Sequence, residues 1–226
     1  MSVSEDRTIT PATQPAPPLS GIADPAPLGL AAFALTTFLL SAANANWMSH
    51  ATTAAFLGYA FAYGGFCQLL AGMWEFRNRN VFGATAFSSY GGFWIGLGLW
   101  AVLVKVPALN AAKPATLAAT VTALNHDVGW ILLAFAIFNT YMMVLSAQVN
   151  MAVFGVFLTL ELTEIIGFIG FFNAGSNVLP TSGIMAAGYM GIVTAAVAWY
   201  TSMAGVANGV GGRLRLPVGR PLLVAA

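Results

Sequence analysis

Glu161 and Glu164 stand three residues apart in a run of otherwise mostly apolar residues, VFLTLELTEIIGFIGFF, from Val156 to Phe172. Two carboxyl groups one helical turn apart could pass a proton, act as an acid–base pair, or satisfy polar groups on a neighbouring helix. With Leu158 taken as zero and about 100° per residue, Glu161 lies about 60° to one side and Glu164 about 120° to the same side. If Leu158 faces an internal path, Glu161 borders it and Glu164 turns toward a neighbouring helix. A charge at mid-membrane costs about 3 kcal/mol on insertion scales, so such residues rarely face lipid. Burial without a cation favours the neutral carboxyl.

The rest of the chain says that this solvent is lipid. Charged residues are 7% of the 226 and hydrophobic ones 58%, with a mean hydropathy of +0.80; a soluble domain carries about 25% charge. A net charge of +1 with no basic cluster leaves no footprint for nucleic acid. The single Cys67 excludes an internal disulfide. Residues 1–23 are polar and Pro-rich with no apolar h-region, and read as a flexible tail rather than a signal peptide.

Uncharged stretches long enough to cross about 30 Å of hydrocarbon predict an all-α membrane protein with six spans. They are Pro27–Asn46, Thr52–Trp74, Phe87–Val104, Val128–Ser146, Asn150–Phe172 and Gly183–Val206. Residues 24–206 form the transmembrane domain on this reading, and 207–226 a short basic tail. Lys105–Asp127 is expected as the one long connection. Six spans put both termini on one side, with Arg7, Arg77, Arg79, Arg213, Arg215 and Arg220, against Lys105 and Lys113 on the other. That bias predicts cytoplasmic termini.

Glycines Gly64, Gly65 and Gly72, and the pair Gly92 and Gly96 in YGGFWIGLGLW, let helices approach closely. Packing within the chain is the expected use of that pair, a subunit interface the other. Glu75, Arg77 and Arg79 are expected in a solvated turn, and His50 and His126 in loops rather than a metal or haem site.

Three motifs carry a resemblance. DPAPLGL, with Asp24 as helix cap and Pro25 in the first turn, is similar to an Asn-Pro-Ala-Pro-Leu-Gly-Leu signature. YGGFCQLLAGMWEFRNRNVFGATAFSSYGGFW (Tyr63–Trp94) and AWYTSMAGVANGVGGRLRLPVG (Ala198–Gly219) follow in order. Together they resemble the acetate uptake transporter family, of the succinate–acetate permease type. Asp24 replaces the usual Asn, Val81 replaces a Thr, and Gln148 stands near where a basic residue is often found.

The resemblance implies a six-helix protomer with one pore per protomer, no cofactor, and assembly into a homo-oligomer, a hexamer in bacterial members, in the inner or plasma membrane. Its substrate would be acetate and similar small monocarboxylates, moved through a channel or together with a proton. Its constriction would fall on Phe33, Tyr90 and Leu158, with Ala198 as a lining position that limits substrate size. Thr36, Thr37, Gln68, Ser88 and Ser89 are candidate donors to a carboxylate. Most such hydroxyls bond instead to their own helix carbonyl four residues back. Glu161 remains open between proton coupling and packing, and Glu164 is assigned to packing. A pore for another small solute such as ammonium, and an acetate-binding sensor, are the alternatives. An intramembrane enzyme using the two glutamates has no supporting motif.

Overall fold

The computed structural model describes residues 21–48 and 55–223. Most of the N-terminal tail, with Arg7, and also His50 and the start of the expected second span at Thr52, lie outside the described residues. Among the described residues six helices are long and apolar enough to cross a membrane. They are α1 (Ala26–Asn44), α2 (Ala55–Arg77), α3 (Val81–Ala111), α4 (Leu117–Ser146), α5 (Met151–Phe172) and α6 (Ser182–Gly209).

Three of the spans have a local reason to begin where they do. Asp24 Oδ1 accepts from Ala26 N at 3.0 Å, so the first helix starts just after Pro25, which holds the cap position expected for Asp24. Asn80 caps α3 through Gly83 N (3.0 Å) and Asn150 caps α5 through Val153 N (2.9 Å). A π-helical turn, Ala62–Cys67, interrupts α2 at the Gly64–Gly65 pair.

The third and fourth spans overrun their apolar stretches. The expected long connection Lys105–Asp127 is mostly helix, and α3 and α4 are separated only by residues 112–116. Alanine-rich sequence continues a helix past the point where charge ends the hydropathy signal. His126 is therefore on α4, exposed and edge-on to Phe172, not in a loop.

The helices close into a ring. α1 packs on α6, α6 on α5, α5 on α4, α2 on α3, and α1 also meets α2 and α3. Lipid gives helices no hydrophobic drive toward one another, so close packing of small residues must hold them. Gly64 lies against Thr36, Gly72 against Ser88, and Gly188 against the Asn44–Ala45 backbone. Ser202 Oγ donates to Pro27 O at 2.6 Å, tying α6 to α1. α3 and α4 meet through rings rather than backbones: Tyr90 lies 5.7 Å from Phe135 and 5.6 Å from Phe138, and Phe93 4.7 Å from Phe135.

The GxxxG pair does not pack within the chain. A Cβ on Gly92 or Gly96 would meet nothing within 4 Å, and both are exposed. Large apolar side chains also face outward, among them Leu103, Trp130 and Ile137. Past α6 the chain runs back across the end of the bundle where α1 begins and α6 ends. Val218 O accepts from Ala152 N, and Leu222 N donates to Ala147 O at 2.8 Å.

Candidate functional site

Inside the ring is a cavity of about 360 Å³, within the ~300–1,000 Å³ typical of small-molecule sites. Its mouth, at the end of the bundle where α1 finishes, includes Asn44, Lys105, Asn125 and Asn177. Its inner end is set by Phe33 from α1, Tyr90 from α3, and Leu160 and Glu164 from α5. Phe33 and Tyr90 meet edge to face with centroids 5.8 Å apart. Among the described residues of the wall, Lys105 is the only basic residue and Glu164 the only acidic one. They are well separated, since Lys105 sits about 22 Å beyond Tyr90 along α3 at 1.5 Å per residue.

Two donors of this wall lack a partner among the described residues. The Thr37 hydroxyl and the Trp94 indole Nε1 are both buried and unbonded. An unpaired buried donor costs about 1–3 kcal/mol, which a ligand or water can recover by accepting from it. An apolar cavity with two free donors suits a small molecule having a hydrocarbon end and acceptor oxygens.

Not all the residues singled out in the sequence come together here. Phe33, Tyr90 and Thr37 line the cavity. Leu158 does not: it is 38% exposed on the outer side of α5, and the cavity leucine is Leu160, at 6%. Two residues are about 200° on a helix, so the intervening step turns the chain from outside to inside. Thr36 donates to Ala32 O at 3.1 Å, the bland fate expected of most hydroxyls. Gln68 is buried with its Oε1 unpaired and Ser88 Oγ is unpaired beside Gly72, but neither lines the cavity, nor does Ser89. Ala198 is fully buried in the core around Phe33 rather than on the wall.

With Leu158 outward, the two glutamates exchange places. Glu164, 3% exposed, lies on the cavity, its Oε1 3.4 Å from the Tyr90 hydroxyl and its Oε2 unpaired. Glu161 is off the wall and bound to α4, its Oε2 accepting from Asn139 Nδ2 (2.7 Å) and its Oε1 facing Thr140 Oγ1 (2.7 Å). Asn139, which sequence reading missed, joins the two groups: Tyr90 Oη donates to its Oδ1 at 2.9 Å, and its Nδ2 also reaches Phe157 O at 2.9 Å. A lone Asn in the apolar run AFAIFNTYMM is the signal that could have found it.

Glu75 departs from expectation as well. It is fully buried at the end of α2, accepting from Asn78 Nδ2 at 3.2 Å, while Arg77 and Arg79 are exposed. Among the described residues no group of three or more His, Cys, Asp or Glu could hold a metal.

Known proteins resemble this chain over most of its length. A 39% identical relative, acetate permease A of Emericella nidulans, aligns over 87% of this chain, which spans 65% of that protein's length. Ammonia transport outward protein 2 of Saccharomyces cerevisiae is 36% identical over 89% of this chain and 67% of its own length. The succinate-acetate/proton symporter SatP of Escherichia coli is 31% identical over 88% of this chain and 96% of its own. A solved structure of the bacterial acetate channel SatP superposes with a TM-score of 0.72 at 31% identity, covering 88% of this chain and 99% of that one. The GPR1/FUN34/yaaH family profile matches residues 6–219, and the chain belongs to the GPR1/FUN34/yaaH family.

Proposed function

We propose that this protein moves acetate and similar small monocarboxylates across a membrane, each protomer through its own central cavity. The observation that carries the reading is the pair of unpaired donors, Thr37 and Trp94, above an apolar end formed by Phe33, Tyr90 and Leu160. Acetate has a methyl group for the apolar surface and two oxygens for the donors. Lys105 at the mouth attracts anions, while the inner end has no cation to hold them, and conduction needs binding weak enough to release. Names of the relatives point to the same substrate class.

The ring geometry fits transport without catalysis. Arg77, Arg79, Arg213, Arg215 and Arg220 share the end of the bundle where α1 begins and α6 ends, which favours cytoplasmic termini in an inner or plasma membrane. Outward-facing Gly92 and Gly96 offer a close-approach surface to a second copy, in keeping with the homo-oligomer, a hexamer, that the family resemblance implies.

Ammonia is the second reading, favoured by the yeast relative's name and by an apolar end that a neutral molecule could pass. Purified protein in liposomes tests both. Labelled acetate should accumulate faster than in protein-free vesicles, with and without an inward proton gradient. Ammonia flux without acetate flux would favour the second reading, and acetate binding without flux would make the protein a sensor.

A further inference from the structure

Counting hydrogens through the buried network assigns different charge states to the two glutamates. Asn139 Nδ2 faces a carbonyl, Phe157 O at 2.9 Å, and a carboxyl oxygen, Glu161 Oε2 at 2.7 Å. Its orientation is thereby set, and Oδ1 faces Tyr90 and can only accept. The single phenolic proton of Tyr90 is spent on Asn139 at 2.9 Å, the shorter of its two contacts. The remaining contact, Tyr90 Oη to Glu164 Oε1 at 3.4 Å, then needs a hydrogen from Glu164. Glu161 is the opposite case, with an Asn139 amide on one oxygen and on the other the Thr140 hydroxyl, whose single proton goes to Glu161 at 2.7 Å rather than to Ala136 O at 2.9 Å, a carbonyl that already accepts a backbone N–H of its own helix. Both serve an ionised carboxylate. The chain runs Glu164 to Tyr90 to Asn139 to Glu161, with one negative charge at its far end.

From this geometry we propose that Glu164 is the proton-binding site of the transport path, neutral when a carboxylate occupies the cavity, with Glu161 a fixed anion behind it. The proposal rests on the acetate reading above and moves the proton role from Glu161 to its neighbour. Glu164 takes its proton from water in the cavity, and its unpaired Oε2 belongs to the residue that a substrate carboxylate meets beside Thr37 and Trp94. An ionised Glu164 would put a second negative charge there and exclude the anion.

The groups around it leave few competitors. Tyr90 faces it from α3, with Tyr141 of α4 behind Tyr90, and Glu161 is on its own helix. Among the described residues, none that is titratable lines the cavity from α1, α2 or α6, and Lys105 stands at the mouth.

The test compares the wild-type protein with Glu164→Gln and Glu161→Gln in liposomes, following labelled acetate uptake between about pH 5.5 and about pH 8, where acetate remains ionised. Passive flux in protein-free vesicles is subtracted. Wild-type uptake should fall with rising pH, by up to about tenfold per pH unit, the slope of one proton. Glu164→Gln, neutral at every pH, should lose that dependence, whatever its absolute rate. Glu161→Gln should keep the slope, since its amide can donate to Thr140 while its oxygen accepts from Asn139. Infrared difference spectra of the same samples should contain, beside any band of the buried Glu75, a titrating protonated-carboxyl component that wild type and Glu161→Gln share and Glu164→Gln loses. A wild-type slope retained by Glu164→Gln, a spectrum unchanged by that substitution, or a slope abolished by Glu161→Gln instead would overturn the proposal. If the band behaves as expected but the wild-type protein carries no acetate, the transport reading fails and the proton site stands.

Discussion

Leu160 and Leu158 are chemically the same residue, and their consequences differ because one shares the cavity wall with Phe33 and Tyr90 and the other faces outward. Leu160→Ala widens the inner end of the path. Discrimination between acetate and a monocarboxylate two methylenes longer should fall by about tenfold or more, since each methylene refused by an apolar site is worth about 1–3 kcal/mol. Competition uptake in liposomes measures that ratio directly. Leu160→Ala also removes buried surface and should cost about 2–5 kcal/mol of stability, so the ratio and not the absolute rate is the readout. Leu158→Ala should leave the ratio where it was. Thr37 and Leu158 were both legible as residue types, but their positions were not equally so. Thr37 shares a helix face with Phe33, one turn away, whereas Leu158 depended on a guess about which side of α5 faces inward.

Between helices, glycines act by where their missing Cβ would point. Gly91 and Gly92 are adjacent, yet a Cβ on Gly91 would meet the Leu69 backbone N at 2.8 Å and Cα at 3.0 Å, and one on Gly92 meets nothing. Backbone cannot rotate away as a side chain can. Gly91→Ala should therefore pry α3 from α2 and destabilise the protomer by about 1–3 kcal/mol, seen as a lower melting temperature in detergent. Gly92→Ala should leave the protomer's melting temperature unchanged and shift the size distribution in detergent toward smaller species, by spoiling close contact with a neighbouring copy. An unchanged distribution would remove these glycines from the subunit interface. The hydropathy signal located all six spans but misjudged α3 and α4, because helix propensity outlasts apolarity at Lys105 and before Asp127. That overrun matters, since it carries Lys105 on a helix to the cavity mouth.

At the scale of the whole molecule the charge distribution is asymmetric along the bundle. The cavity opens where Lys105 is and closes toward Glu164, so an anion meets a positive charge first and a proton-dependent one last. Lys105→Glu should slow acetate entry several-fold at low ionic strength. The deficit should shrink as salt rises and the screening length falls from ~30 Å at 0.01 M to ~3 Å at 1 M. Initial uptake rates across a salt series would reveal it, and a salt-independent defect would point to lost packing instead.

What the sequence by itself determined is the membrane solvent, the six spans and the family. Each follows from composition, length or a contiguous motif. Tertiary structure decided which carboxyl group meets the cavity, which leucine closes it, and that Gly92 and Gly96 look outward. The physical reason is common to all three. A helix between lipid and a packed interior is apolar on every side, so its sequence has little amphipathic signal to say which way it faces. Only the neighbours that Glu161 and Glu164 actually meet, Asn139 and Thr140 for one and Tyr90 for the other, distinguish them.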